Sequence, residues 1–343
     1  MSSHIAICIP CYNEAANIKP LYKRLNAALE SYSSDRFSIV FADNRSTDGT
    51  VAIIRELMQH DSRIGLIENV NNFGFVRSSA NALLSPDADA NIFLMSDLQD
   101  PPELIPELIQ RWRRGRSQVV FAVRRSSREN ALLFAFKKIY YALLSSLSDY
   151  PMVRNTTGFG IYDRSAILAL RQCSDSYPYI KGLVCAIGFA WETVPYTSDD
   201  RRSGQSHASL GFLIDFGVLG IVTLSRKPMR IITYAGIGLG AFAIFLSSVV
   251  LVSKFLFWAM FQFGLAMLAV SGLFFLGVCL TALGIIGEYI GFLNQRSLKL
   301  PLVVEKYRIN VPRLASPGGS DQGWPQRPSS PQSASDPESP SQS

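Results

Sequence analysis

ANIFLMSDLQDPPE, residues 90–103, is the stretch on which the fold turns. Its first half, through Asp97, is an apolar run of strand length, too short for a core helix. Its second half carries Asp97, Gln99 and Asp100, then Pro101 and Pro102, which suit the first turn of a helix. That helix is expected over 102–114, where Leu104, Leu108 and Trp112 recur at helical spacing. A strand that ends in acids and runs into a helix is the repeating unit of an α/β sheet, and such sheets bind ligands at the carboxyl ends of their strands. Asp100, just before the prolines, reads as the helix cap. Asp97 and Gln99 project to the same side of an extended turn, and an oxygen pair of this kind suits Mg²⁺ or Mn²⁺ bridging a diphosphate.

The same unit repeats outward from this point. HIAICI (4–9) is a buried strand that passes into a loop at 10–14, and the next helix places Ile18, Leu21, Leu25 and Leu29 on one face. FSIVFAD (37–43) is a second strand, followed by polar turn residues and a helix with Val51, Ile54, Leu57 and Met58. IGLIEN is a third strand, 90–97 a fourth and SQVVFAV (117–123) a fifth. Alternating strands and helices predict a Rossmann-like α/β domain whose mostly parallel sheet is covered on both faces. Glu14, Asp43, Asp97, Gln99 and Arg124 fall at strand ends. Neither a GxGxxG nor a GxxxxGK[ST] is present, so neither a dinucleotide fingerprint nor a P-loop explains them. His4, His60 and His207 lie far apart, which argues against a histidine metal site or a hydrolase triad.

The five cysteines make no disulfide framework, and the one CxxC, Cys8 and Cys11, lacks the second pair that a metal site needs. These two are expected to pack as small side chains at the end of the first strand, and free thiols suit a reducing compartment. The net charge of +6 suits phosphate ligands or an anionic membrane face, and no basic run with interleaved aromatics points to nucleic acid. MSSHIAICIP has no basic n-region and too short an apolar run for a secretion signal.

The 48% hydrophobic fraction hides an asymmetry. No charge occurs from Ile231 to Ser253, nor from Phe255 to Gly287. A bilayer-spanning helix needs about 20 apolar residues. A central charge would cost about 2.5–3.5 kcal/mol, whereas each Leu, Ile, Phe or Val gains about 0.3–0.6 kcal/mol. Two transmembrane helices are therefore expected at about 231–253 and 264–289, joined by an aromatic hairpin. Arg226, Lys227 and Arg230 flank the first and Arg296, Lys299 and Lys306 the second, which puts the globular domain and both termini in the cytoplasm. Leu210, Leu213, Ile214, Val218, Ile221 and Val222 recur at helical spacing, as an amphipathic helix on the membrane surface or, alternatively, a core helix of the soluble domain. The expected organisation is a globular domain at 1–208, the amphipathic helix at 209–230 and the two spans within 231–293. A cytoplasmic segment follows at 294–311, and then a disordered Ser/Pro-rich tail at 312–343.

Several segments together resemble the GT-A family 2 glycosyltransferases, in particular those acting on polyprenyl phosphate of the bactoprenol and dolichol type. IPCYNEAANI is similar to an opening PxYNExxNI, ADNRSTDGT to DDGSxDGT, and SDLQDPPELIP to DADLQxPPE. VVFAVRRSSR, TTGFGIYDR, YIKGLVCAIGF, RRSGQSHASL and GIIGEYIGFLNQRSLKLPLVVE follow in the family's order, so the resemblance spans about residues 4–307. It implies a GT-A fold and inverting transfer of a sugar from a nucleotide-sugar donor, UDP-linked by preference, to a polyprenyl phosphate in the membrane. GDP-mannose is the alternative donor. The resemblance also implies roles by position. Pro10, Tyr12 and Glu14 line the base and ribose pocket, and Asp43 contacts the base. Asp97 and Gln99 hold Mg²⁺ or Mn²⁺ and the diphosphate. Arg124 contacts phosphates or the donor sugar. Arg201 and His207 meet the acceptor phosphate, where a guanidinium fork suits phosphate oxygens. Asp97, Arg124 and Arg201 form the implied catalytic set.

The chain departs from the pattern at Asn44, Arg45, Met95, Gly158, Gly160 and His207. Met95 removes a carboxylate beside the metal position, which weakens the expected hold on the ion. Gly158 removes a carboxylate that an alcohol acceptor would need as a base, and these losses also motivate a catalytically weak homologue acting in glycan assembly. A processive synthase is disfavoured, because its QxxRW is missing after the sheet. Homologues of this type can pair through their helices.

Overall fold

The computed structural model describes residues 2–32, 35–125, 153, 155–173, 177–197, 265–297 and 301–311, with scattered helical positions between 234 and 256. Strand β1 is His4–Cys11, β2 Arg36–Asp43, β3 Ile64–Asn69 and β4 Ala90–Phe93. β5 is Val119–Arg124, β6 Gly160–Asp163, β7 Trp191–Tyr196 and β8 Glu305–Ile309. They form one sheet in the order β7-β5-β6-β4-β1-β2-β3-β8. The centre, β4-β1-β2-β3, is parallel, as the alternation predicts. β6 runs antiparallel between β4 and β5, and β8 antiparallel along β3, so the sheet is mixed.

Helix α1 is Ala15–Leu29 and α2 Thr50–His60. α1 buries the four leucine and isoleucine positions of its expected face, and Ile54 of α2 is fully buried while Val51, Leu57 and Met58 pack on the same core. The helix expected at 102–114 is a 3₁₀ turn, Pro102–Leu104, leading into α4, Ile105–Arg113. The proline pair forces the tighter start, because neither ring can donate into a regular first turn. α3, Phe75–Leu84, lies where the sequence analysis placed no element. Its signal was present in Val76, Ala80, Leu83 and Leu84, which are all buried at helical spacing. α5 is Arg164–Gln172 and α6 Ile180–Ile187.

Two expectations at the C-terminal side change. The segment expected to follow the spans, to which no strand was assigned, supplies β8, whose neighbour Val311 is buried and packs in a cluster with Val40 and Ile67. Arg77 of α3 holds this return in place by donating to the carbonyls of Pro301 (2.8 Å) and Leu302 (2.9 Å). The second expected span is helical and longer than predicted: α7 is Leu265–Ser297, 33 residues or about 50 Å. Among the residues whose side chains are described, no helix is long and apolar enough to cross a membrane. Side chains are described along only part of α7, and there Leu276, Leu280, Leu283 and Leu293 stand exposed. The first span, the surface helix at 209–230 and the tail lie outside the described residues or are only sparsely within them.

Candidate active site

The carboxyl ends of β1, β2, β4 and β5 converge on one edge of the sheet, and the site has two halves. The first is built by β1 and β2. β1 runs two residues further than expected, so Pro10 and Cys11 are strand residues paired with Ala42 and Asp43. Pro10 has no N–H to give the ladder, and its carbonyl accepts from Ser96 Oγ (3.0 Å), which ties the two halves together. Cys8 and Cys11 are buried and free, as packing residues should be. Burial raises both thiols well above their ordinary range. Asn13 takes a left-handed φ of 56° and clamps the opposite loop, accepting from Thr47 N–H (2.8 Å) and donating its own N–H to Ser46 Oγ (2.8 Å). Glu14 N–H donates to Thr50 Oγ1 (2.9 Å), and the half-buried Tyr12 stands between these two clamped residues and β1.

Asp43 ends β2 with no exposed surface. One oxygen accepts from Ser46 N–H (2.9 Å), and the other, Oδ1, is buried without a hydrogen-bond partner. Burial raises its pKa, and the Ser46 contact only partly opposes this. A buried carboxylate oxygen with nothing to accept from keeps its acceptor capacity unused. Asn44, a departure from the family pattern, is built into the support. Its side-chain oxygen accepts from Asn69 Nδ2 (3.2 Å) and Phe73 N–H (3.0 Å), and its amide donates to Asn72 (2.7 Å). Arg45 holds a φ of 65°, where the family pattern has glycine, and donates to Asn71 (3.0 Å).

The second half centres on a residue that the sequence analysis misassigned. Asp100 is not a helix cap: Pro101 precedes the 3₁₀ turn, and no side chain caps it. Asp100 is fully buried and accepts from Arg124 Nη2 (3.0 Å), Thr157 Oγ1 (2.9 Å) and, by a short contact, the Tyr196 hydroxyl. Arg124 Nε also donates to Tyr196 (3.0 Å). Burial works against the charged guanidinium, but Asp100 and Tyr196 together outweigh it and raise the Arg124 pKa. The Tyr196 hydroxyl is held far above its ordinary value by burial and by Asp100. Four segments distant in sequence thus fix one cation at the mouth of the site. Thr157 lies in the quoted TTGFGIYDR but, like Tyr196, was not singled out, because β6 and β7 were not anticipated.

Asp97 and Gln99 are half-buried between the two halves. They flank Leu98, a buried residue at φ 62°, a region costly for a bulky side chain. That turn puts Asp97 Oδ1 in reach of Gln99 N–H (3.2 Å) and leaves Gln99 Oε1 3.4 Å from Arg124. Among the described residues no group of three His, Cys, Asp or Glu side chains could hold a metal alone. One carboxylate with diphosphate oxygens completing the shell does meet the requirement of Mg²⁺ or Mn²⁺, so Asp97 fits an ion that arrives with a ligand. Gln99 Oε1 is turned toward Arg124. Arg201 and His207 lie outside the described residues.

Gly158 has φ 100°, where only glycine is unstrained, and Gly160 sits so close to β5 that a Cβ would lie 2.4 Å from the Val120 carbonyl oxygen. These departures are therefore built into the backbone of this chain.

Residues 6–171 match the model of "Glycosyl transferase family 2". An uncharacterized glycosyltransferase of Bacillus subtilis, YkcC, is 33% identical over 322 residues, 92% of this chain and 98% of that protein. The chain belongs to glycosyltransferase family 2. This family 2 enzyme is also 27% identical over 302 residues to a prophage bactoprenol glucosyl transferase homolog of Escherichia coli, covering 88% of this chain and 98% of that one. Among solved structures, a mannosyltransferase from Pyrobaculum calidifontis in complex with GDP-Man and Mn²⁺ aligns over 88% of this chain and 86% of its own, at 14% identity and TM-score 0.48.

Proposed function

We propose that the chain is a membrane-bound inverting glycosyltransferase that moves a sugar from a UDP-sugar to a polyprenyl phosphate. The observation that carries the reading is the pairing of the vacant Asp43 oxygen with the fixed Arg124 across Asp97. The first suits an N–H of the base, the last suits the diphosphate, and Asp97, which follows β4, lies between the ends of β2 and β5 in the strand order. A divalent ion held by Asp97 would neutralise diphosphate charge, and Arg124, kept in place by Asp100, would hold the leaving group.

The acceptor reading rests on Gly158. An alcohol acceptor needs a base, and this position offers no carboxylate. A phosphate monoester, with a second pKa near ~6, is already a dianion at neutral pH. One of its oxygens would bond to the anomeric carbon as the bond to the nucleoside diphosphate breaks, and the diphosphate would keep the electron pair. No proton transfer by the protein is needed. Arg201 and His207 would meet the acceptor phosphate. The full-length likeness to a protein named for bactoprenol glucosylation supports a lipid acceptor. So do the exposed leucines of α7 and the uncharged stretches around 231–287, which we read as two spans with the catalytic domain and both termini in the cytoplasm.

Membranes carrying the chain, given labelled nucleotide sugars, are expected to move label into an organic-extractable lipid. Asp97→Asn should lower that transfer at least ~100-fold, a loss of about 2.7 kcal/mol in transition-state stabilisation. Unchanged transfer in Asp97→Asn would remove Asp97 from the mechanism, and tight nucleotide binding without transfer from any donor would favour an assembly role.

A further inference from the structure

The loop between β3 and α3, residues 70–74, is held together with Asn69 from two sides. On one side they grip the end of β2. Asn69 Nδ2 (3.2 Å) and the Phe73 N–H (3.0 Å) donate to Asn44 Oδ1. Asn44 Nδ2 donates to Asn72 (2.7 Å), and Arg45 donates to Asn71 (3.0 Å). On the other side they meet the chain that returns after α7. The Val70 N–H donates to the Val304 carbonyl (3.0 Å). Arg77, in the first turn of α3, lies 5.0 Å from the centre of the Phe73 ring and donates to the carbonyls of Pro301 and Leu302. β8 breaks register with β3 between Glu68 and Asn69, where this segment begins.

A connection that only joined β3 to α3 would need none of these ties. Instead, each of the three asparagines in 69–74 bonds to residue 44 or 45. The ties on the far side fall on backbone carbonyls, which move only with the chain that carries them. Hydrogen bonds are directional, so a segment bonded at both sides has little slack. A displacement of residues 301–304 must break these bonds or move Asn44, and Asn44 adjoins Asp43. Arg77 sets the spacing, because its planar fork holds two successive carbonyls while its face lies against the Phe73 ring.

We propose that residues 69–74 form a strut through which the chain leaving α7 positions the nucleotide half of the site, with Arg77 as the positioning residue. The proposal rests on the reading of Asp43 as a donor-nucleotide contact. It makes donor affinity depend on the segment that follows α7.

The test uses the purified full chain in detergent with Mn²⁺ and UDP, or GDP if the wild type prefers it, followed by calorimetry. Arg77→Met is expected to weaken nucleotide binding about fivefold, the worth of one neutral hydrogen bond. The donor KM should rise by the same factor, with kcat at saturating donor unchanged. Asn72→Ala should weaken binding to a similar degree. The double variant should match the weaker single variant to within about twofold, because both act through one segment. Arg308→Met loosens the same seam farther along α3, where Arg308 donates to Ser85 (3.1 Å). It should lower the melting temperature and leave nucleotide binding unchanged. Unchanged binding in Arg77→Met, multiplying losses in the double variant, or equal weakening by Arg308→Met overturns the strut. If Arg77→Met fails to fold, Arg77→Lys, which keeps the charge and loses the fork, carries the comparison. A wild type that binds neither UDP nor GDP overturns the donor reading and this proposal together.

Discussion

Asp43, at the end of β2, and Asp100, beyond the end of β4, are both fully buried acids, yet their surroundings are opposite. Asp100 is saturated by Arg124, Thr157 and Tyr196, three donors from three segments. Asp43 keeps one oxygen without a partner. A saturated buried acid organises its neighbours, and an unsaturated one costs stability until a ligand arrives. The comparison separates the scaffold of the site from its binding surface, which residue type alone does not do.

The largest effect is expected on the saturated side. Asp100→Asn leaves Arg124 without its counter-charge, and breaking a buried pair from one side costs about 3–5 kcal/mol. Because the Arg124 side chain is 30% exposed, the lower end applies. Chemical denaturation should show this loss, and activity should fall with it. A variant of unchanged stability would break the contrast. Asp43→Asn should behave oppositely. It removes a charge that burial disfavours, so the fold holds or gains stability above pH 4, where the unfolded acid would be ionised. Nucleotide binding, measured by calorimetry, should weaken by about 1.5–3 kcal/mol, the worth of a hydrogen bond to a charged group. The smallest change sharpens the comparison. Gly160→Ala meets the Val120 carbonyl and should cost about 1–3 kcal/mol of stability. It disturbs the strand behind Thr157, so it should lower transfer more than nucleotide binding.

The parallel centre was legible because strand-length apolar runs alternate with helical faces, as at Ile18, Leu21 and Leu25. The strand-end positions of Asp43, Asp97 and Arg124 were legible because each follows a strand-length apolar run. The antiparallel strands were not. Gly160–Asp163 has four residues and a glycine that serves a close approach to β5, so it lacks the usual strand signal. Glu305–Ile309 alternates charge with aromatic and aliphatic residues on a sheet edge and reads as a polar segment. Asp100 was misread because a local rule, an acid before two prolines, also describes a cap. Its partners at 124, 157 and 196 meet only in three dimensions.

The most direct test of the account asks whether the acceptor must be a phosphate. Purified full-length protein would receive labelled UDP-sugar with polyprenyl phosphate or with the matching polyprenol, and lipid-linked label would be counted. The account predicts label on the phosphate alone, since position 158 is a glycine and supplies no carboxylate to activate an alcohol. Equal labelling of the alcohol, or no lipid-linked label with the phosphate, would contradict it.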